Sequence, residues 1–323
     1  MRHPVTRRTA LGTIAALAGS AALPAGAETP LAVVATTGMI ADAARVVGGP
    51  AAEVTALMGP GIDPHAYRQT RSDIARLTRA DLVLWNGLFL EAQMEGFLLD
   101  LARKRPVVAV AETGVPAELL IGHDDYEARK DPHVWMDPAL WVFVVRAVEA
   151  ALAEARPDTA LGFAGRSAAH VDELQALSEY ADDVLATVPE ESRVLLSAHD
   201  AFNYFGRAHG YEVLGIQGIS TESEAGLRRI EELVALLVQR RIGAVFVESS
   251  VSERNVRAVI EGAAAQGHEV RIGGELFSDA MGAPGSYEAT YLGMIDHNVT
   301  TIARALGGRA PERGRLGKLA AGS

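Results

Sequence analysis

Short runs of consecutive apolar residues punctuate this chain, with helical patterns between them. Four runs lie in the first half, at Leu31–Ala35, Glu53–Met58, Asp81–Asn86 and Val107–Val110. Four more lie in the second, at Arg193–Ser197, Tyr211–Ile216, Gly243–Val247 and Glu269–Ile272. They are rich in Val, Ile and Leu without polar alternation, the pattern of strands covered on both faces. Helical patterns fill the intervals, as over Thr70–Thr78 and Gly226–Arg240. Strand–helix–strand alternation predicts parallel sheets flanked by helices.

The two sets are separated by Pro157–Thr187, where Val171, Leu174, Leu177 and Val184 recur at helical spacing. Pro157 suits a helix start and Pro189 marks its end. One long bridging helix is expected, although two helices with a turn near residues 162–165 would fit the same stretch. The expectation is an α/β fold of two lobes, each a mostly parallel four-stranded sheet with flanking helices, joined by one long linking helix. The boundaries are 28–156 for the first lobe, 157–188 for the linking helix and 189–307 for the second. Residues 308–323 are rich in Gly, Arg and Lys and read as a disordered tail.

Residues 1–27 change the picture of where the chain resides. Arg2, Arg7 and Arg8 form a positive start, Ala10 to Leu23 is apolar but too short to span a membrane, and Ala25-Gly26-Ala27 is a small-x-small cleavage site. The stretch reads as an export signal. Its paired arginines resemble a twin-arginine signal, with Ala10 where that motif usually carries a bulky apolar residue. Removing it takes away three positive charges and shifts the net charge from −11 to −14. So acidic a chain argues against nucleic acid as a partner and is compatible with a cation. The sequence contains no cysteine. That excludes disulfides, thiolate metal sites and a cysteine nucleophile. A protein free in the periplasm, without a lipid anchor, is expected.

Four short motifs carry candidate chemistry. Asp63-Pro64-His65 follows one predicted strand, and the same tripeptide recurs in Asp131-Pro132-His133-Val134-Trp135. Ser197-Ala198-His199-Asp200 and Leu276-Phe277-Ser278-Asp279 follow strands of the second half. In open α/β sheets, ligands bind beyond the carboxyl ends of the strands. Two candidates from each half would therefore meet in a cleft between the lobes. Neutral imidazole and carboxylate are good ligands for zinc, and manganese accepts them with more oxygen character. Proline stiffens the approach to each His, and the Asp before it is placed to accept a hydrogen bond from a ring nitrogen.

These motifs resemble the zinc/manganese solute-binding proteins of bacterial ABC importers, the TroA-like family. The resemblance runs from Val33-Val34-Ala35-Thr36-Thr37 to His297-Asn298-Val299, and Phe246-Val247-Glu248-Ser249-Ser250 belongs to it. It implies two lobes around a rigid helix, a transported Zn2+ or Mn2+ held by His65, His133, His199 and Asp279, and delivery to a membrane permease by a protein that acts as a monomer. Two features bear on the metal. Many zinc members carry a long His- and Asp-rich loop before the second Asp-Pro-His, whereas here it holds only His123, Asp124 and Asp125. Many manganese members carry Glu where this chain has His199. By ligand chemistry, three imidazoles and one carboxylate favour zinc.

The rival reading is a zinc hydrolase with a three-His site, which would need an open coordination position and a general base such as Glu248 or Asp200. Asp279 would close that position, so no enzymatic activity is expected. His123, His170, His209, His268 and His297 match no ligand motif and read as surface or structural residues, with His123, Asp124 and Asp125 a weaker candidate for collecting metal. Trp85, Trp135 and Trp141 read as packing residues. Glu248 is left between a role behind a ligand and a strand-end cap.

Overall fold

The computed structural model describes residues 29–122 and 129–320. The export signal and His123, Asp124 and Asp125 lie outside the described residues. In the first half the chain runs β1 (Leu31–Ala35), α1 (Gly38–Gly48), β2 (Ala52–Ala56), α2 (Arg71–Arg79), β3 (Leu82–Trp85), α3 (Glu95–Ala102), β4 (Val107–Ala109), α4 (Val110–Gly114) and α5 (Pro138–Ala155). After α6 (Ala160–Leu185) come β5 (Val194–Ser197), α7 (Asn203–His209), β6 (Glu212–Gly215), α8 (Leu227–Arg240), β7 (Ala244–Glu248), α9 (Arg254–Ala265), β8 (Arg271–Leu276) and α10 (Tyr291–Ala305).

All four strands of the first half pair in parallel, in the order β2-β1-β3-β4. The second half is hydrogen-bonded as two parallel pairs, β5 with β6 and β7 with β8, and β5 lies beside β7. Its spatial order therefore repeats that of the first. Central strands β3, β5 and β7 are buried along their whole length, as their unbroken apolar runs require. The outer strands β2, β6 and β8 are partly exposed.

Local sequence explains the helix starts. Thr70 and Asp73 form a reciprocal capping box at α2, Asp137 caps α5 with Pro138 at its first position, and Thr290 caps α10. The linking helix α6 is unbroken over 26 residues, roughly 39 Å at 1.5 Å per residue. No turn interrupts it near residues 162–165, because Phe163 is buried in the helical register that Val171, Leu174 and Leu177 continue. It packs on α1 and α5 from one side of the chain and on α10 from the other.

Helix α10 also reaches back to the first half. Tyr291 donates its backbone N–H to Asp42 and its hydroxyl to the Trp135 carbonyl, and its ring stacks on Trp141 at 5.1 Å. One apolar core runs through these helices and joins the halves, flanked by a smaller core in each.

Contrary to the expectation of a disordered tail, residues 308–320 are folded back on the body. Arg315 donates its backbone N–H to both Asp296 oxygens at 2.9 Å, Thr187 and Arg309 exchange hydrogen bonds, and Leu319 is fully buried. Composition concealed this, because one apolar anchor and backbone donors hold the segment. Among the described residues, no helix is long and apolar enough to cross a membrane.

Candidate metal centre

Three of the four predicted ligand residues, His65, His199 and Asp279, stand on segments that leave the carboxyl ends of strands, and His133 stands on the segment that leaves α4. His65 follows β2, His133 lies between α4 and α5 in a single 3-10 turn's approach, His199 follows β5 directly, and Asp279 follows β8. Gly61 permits the first of these loops. Its φ of 71° is left-handed, and a β-carbon there would lie 3.4 Å from the Ser249 carbonyl of the opposite half.

The four side chains converge, with one potential donor atom from each lying within 4.8 Å of all the others. His65 Nε2 and His133 Nε2 are 3.2 Å apart, and His133 Nε2 and His199 Nε2 are 3.4 Å apart. Asp279 faces all three rings, with Oδ2 at 3.7 Å from His65 and 3.3 Å from His199, and Oδ1 at 3.5 Å from His133. All four residues are at most 2% exposed. A tetrahedral ion with arms of about 2.05 Å has donor–donor edges of about 3.3 Å, close to these separations. With both Asp279 oxygens facing inwards, a fifth, oxygen-rich contact is also within reach, as manganese would use.

Each half orients one ring through a carboxylate. Asp131 Oδ1 accepts from His133 Nδ1 at 2.7 Å and from the His133 backbone N–H at 2.9 Å. Glu248, at the end of β7, takes His199 Nδ1 at 2.5 Å with one oxygen and the His199 backbone N–H at 2.8 Å with the other. With Nδ1 committed to its carboxylate, Nε2 of each ring faces the centre, the atom that binds a metal once it carries no proton. Asp131 is held in turn by Asn203 and Tyr204 of α7. Trp135 donates its indole N–H to the Ser278 carbonyl, fixing the Asp279 loop against the first half.

Burial and charge act differently on the members. Burial drives the His65 imidazole down to about 3, so it is neutral near pH 7. Burial opposes the charged form of His199 too, but Glu248 and Asp279 outweigh it and raise this ring well above the ordinary histidine range. For Asp279, burial would raise the carboxyl; His199, His133 and His65 together hold it well below the usual carboxylate range. Neither of its oxygens has a well-formed hydrogen bond, although both are buried. Buried carboxylate oxygens are rarely left so, and a cation at the centre of the four groups would satisfy them.

Of the histidines set aside from the sequence, His170, His209, His268 and His297 make local contacts outside the cluster, to Glu173, Asp182, and the carbonyls of Ile242 and Glu275. Glu248 has both oxygens committed to His199, which removes it as a free general base. Glu248 thus stands behind His199, one of the two roles the sequence left open for it, whereas Asn203 and Tyr204 carried no signal in the sequence.

A two-lobed α/β frame with a buried cluster of three imidazoles and one carboxylate between its halves defines a metal-binding solute-binding protein. The family described as "Zinc-uptake complex component A periplasmic" matches residues 33–305. The chain belongs to that family, the metal-binding components of ABC importers, and is a binding protein rather than an enzyme. The manganese-binding lipoprotein MntA of Bacillus subtilis (strain 168) is 47% identical over 280 residues, 87% of this chain and 91% of that protein. The zinc-binding protein TroA of Treponema pallidum (strain Nichols) is 46% identical over 274 residues, 85% of this chain and 88% of that one. The solved structure of the periplasmic zinc-binding protein TroA from Treponema pallidum superposes with a TM-score of 0.84 at 45% identity, covering 86% of this chain and 99% of that one.

Proposed function

We propose that His65, His133 and His199, each through Nε2, and the Asp279 carboxylate bind one divalent transition metal as transported cargo, with zinc favoured over manganese in equilibrium binding. The convergence of these four donors on a buried point carries the reading. The edge lengths fit a tetrahedral zinc ion, and zinc stands above manganese in affinity for a given nitrogen-rich site. The segments 28–156 and 189–307 act as the two lobes that the ion bridges, with 157–188 as a stiff link. Their shared core leaves little freedom for hinge motion. Closing the fourth position with Asp279 and committing Glu248 to His199 leave no water-activating arrangement, so the function is capture and hand-over to a membrane permease.

The chain acts as a periplasmic monomer after cleavage behind Ala27. Metal analysis of protein purified without added metal, followed by zinc and manganese competition titrations, tests the reading. One metal per chain with tighter zinc binding is expected. Absence of stoichiometric binding would overturn the proposal.

A further inference from the structure

Residues 216–226, between β6 and α8, reach across the cleft to the first half. Thr221 donates its hydroxyl to Asp63 Oδ2 at 2.5 Å. The other oxygen of the same carboxylate, Oδ1, accepts the backbone N–H of His65 at 2.8 Å. One carboxylate therefore couples a hydroxyl of the second half to the backbone of a proposed ligand in the first. A second link runs beside it, from the Gln93 amide to Glu222. Ile219 and Ser220 of this segment join Leu88 and Phe89 in walling the His65 side of the cluster, where the cavity is only about 30 Å³. On the Asp279 side, the cavity is about 380 Å³. The space beside His65 is narrow and the space beside Asp279 is roomy.

We propose that Thr221 is a positioning residue for metal retention: its hydroxyl latches the second half onto Asp63 and so keeps His65 in the coordination sphere. This rests on the ligand set proposed above. The link is suited to opening, because Glu222, Ser223 and Glu224 are exposed and residues 216–226 form no helix or strand. His133 and His199 are steadied by carboxylates of their own, whereas the latch supports His65. The ring of His65 would then be the first to leave the metal when the cleft loosens.

The test compares zinc release from the loaded full-length protein into excess chelator, followed by stopped flow, for the parent, Thr221→Val and Thr221→Ser. Valine has the shape of threonine without the hydroxyl, and the position is only partly buried, so folding is retained. Thr221→Val should release zinc about 3–10-fold faster, the rate equivalent of one net hydrogen bond. It should keep one zinc per chain, and its metal-free melting temperature should fall by no more than the loss of one net hydrogen bond allows. Thr221→Ser should restore the slow rate. Release at the parent rate from Thr221→Val, or equally fast release from Thr221→Ser, would overturn the latch. A parent chain that takes up no zinc, or a His65→Ala chain that binds like the parent, would contradict the ligand set itself and the latch with it.

Discussion

At 63–65 and again at 131–133 the chain carries Asp-Pro-His, and in both places the Asp Oδ1 accepts the His backbone N–H, at 2.8 and 2.9 Å. The tripeptide thus fixes the same turn twice, as Asp side chains do when they bond their own backbone two residues on. Beyond that the two diverge. Asp131 is fully buried, and its Oδ1 also takes the ring Nδ1 of His133 while Oδ2 takes Asn203. Burial alone would raise its carboxyl, but His133, by charge and hydrogen bond, holds it lowered. Asp63 is half-buried and turns Oδ2 to Thr221 of the opposite half. Burial and the Asp279 charge raise its carboxyl despite the Thr221 bond. Both carboxylates reach the opposite half, Asp131 through Asn203 and Asp63 through Thr221, but only Asp131 also grips the ring of its own histidine. A repeated motif specifies a backbone turn; the surroundings decide what its carboxylate does.

Removing either imidazole should erase this difference. His65→Ala and His133→Ala should each weaken zinc binding by well over ~100-fold, beyond the 10–100-fold typical of groups behind a ligand. Competition titration checks this, and parent-like affinity in either would exclude that ring from the site. Removing the carboxylates should bring the difference out. Asp131→Ala should cost about 10–100-fold in affinity and also about 1–3 kcal/mol of metal-free stability, because His133 and Asn203 lose a buried acceptor. Thermal melts with and without zinc separate the two effects. Asp63→Ala should cost less than ~10-fold, expressed mainly as faster release, since no ring nitrogen loses its partner. Equal losses from the two Asp variants would break the comparison.

The smallest effect concerns protons. The metal-free protein holds His199 protonated above the ordinary range, so that group's stabilising contribution is present below the unfolded value near 6.5 and fades as pH rises through the raised folded value. His65, driven down to about 3, works in the opposite sense: its neutral state costs stability as pH falls from about 6.5 towards 3. Metal must therefore displace the His199 proton but finds His65 already neutral. Near pH 7, zinc binding should release the His199 proton, measured by calorimetry in buffers of different ionisation enthalpy. Release close to zero would contradict the assignment of that proton to the His199–Glu248 pair.

Much of this was legible in the chain itself. All eight strands overlap their apolar runs, β8 only at Arg271 and Ile272, and three of the candidate donors lie beyond strand ends while His133 follows α4, because buried parallel strands and strand-end loops both leave local marks. What joined distant segments was not legible. Glu248 reaches His199 only because β7 lies beside β5, and Thr221 meets Asp63 only where the lobes touch. In the folded tail, the Asp296 contact is made to a backbone N–H of Arg315, which no side-chain pattern encodes.

The central claim is that these four side chains hold one ion between the lobes, and anomalous scattering from crystals of the zinc-loaded protein tests it most directly. The expected result is a single zinc peak about 2.0–2.2 Å from Nε2 of His65, His133 and His199 and from the Asp279 carboxylate. A peak elsewhere, or one lacking any of these four contacts, would contradict it.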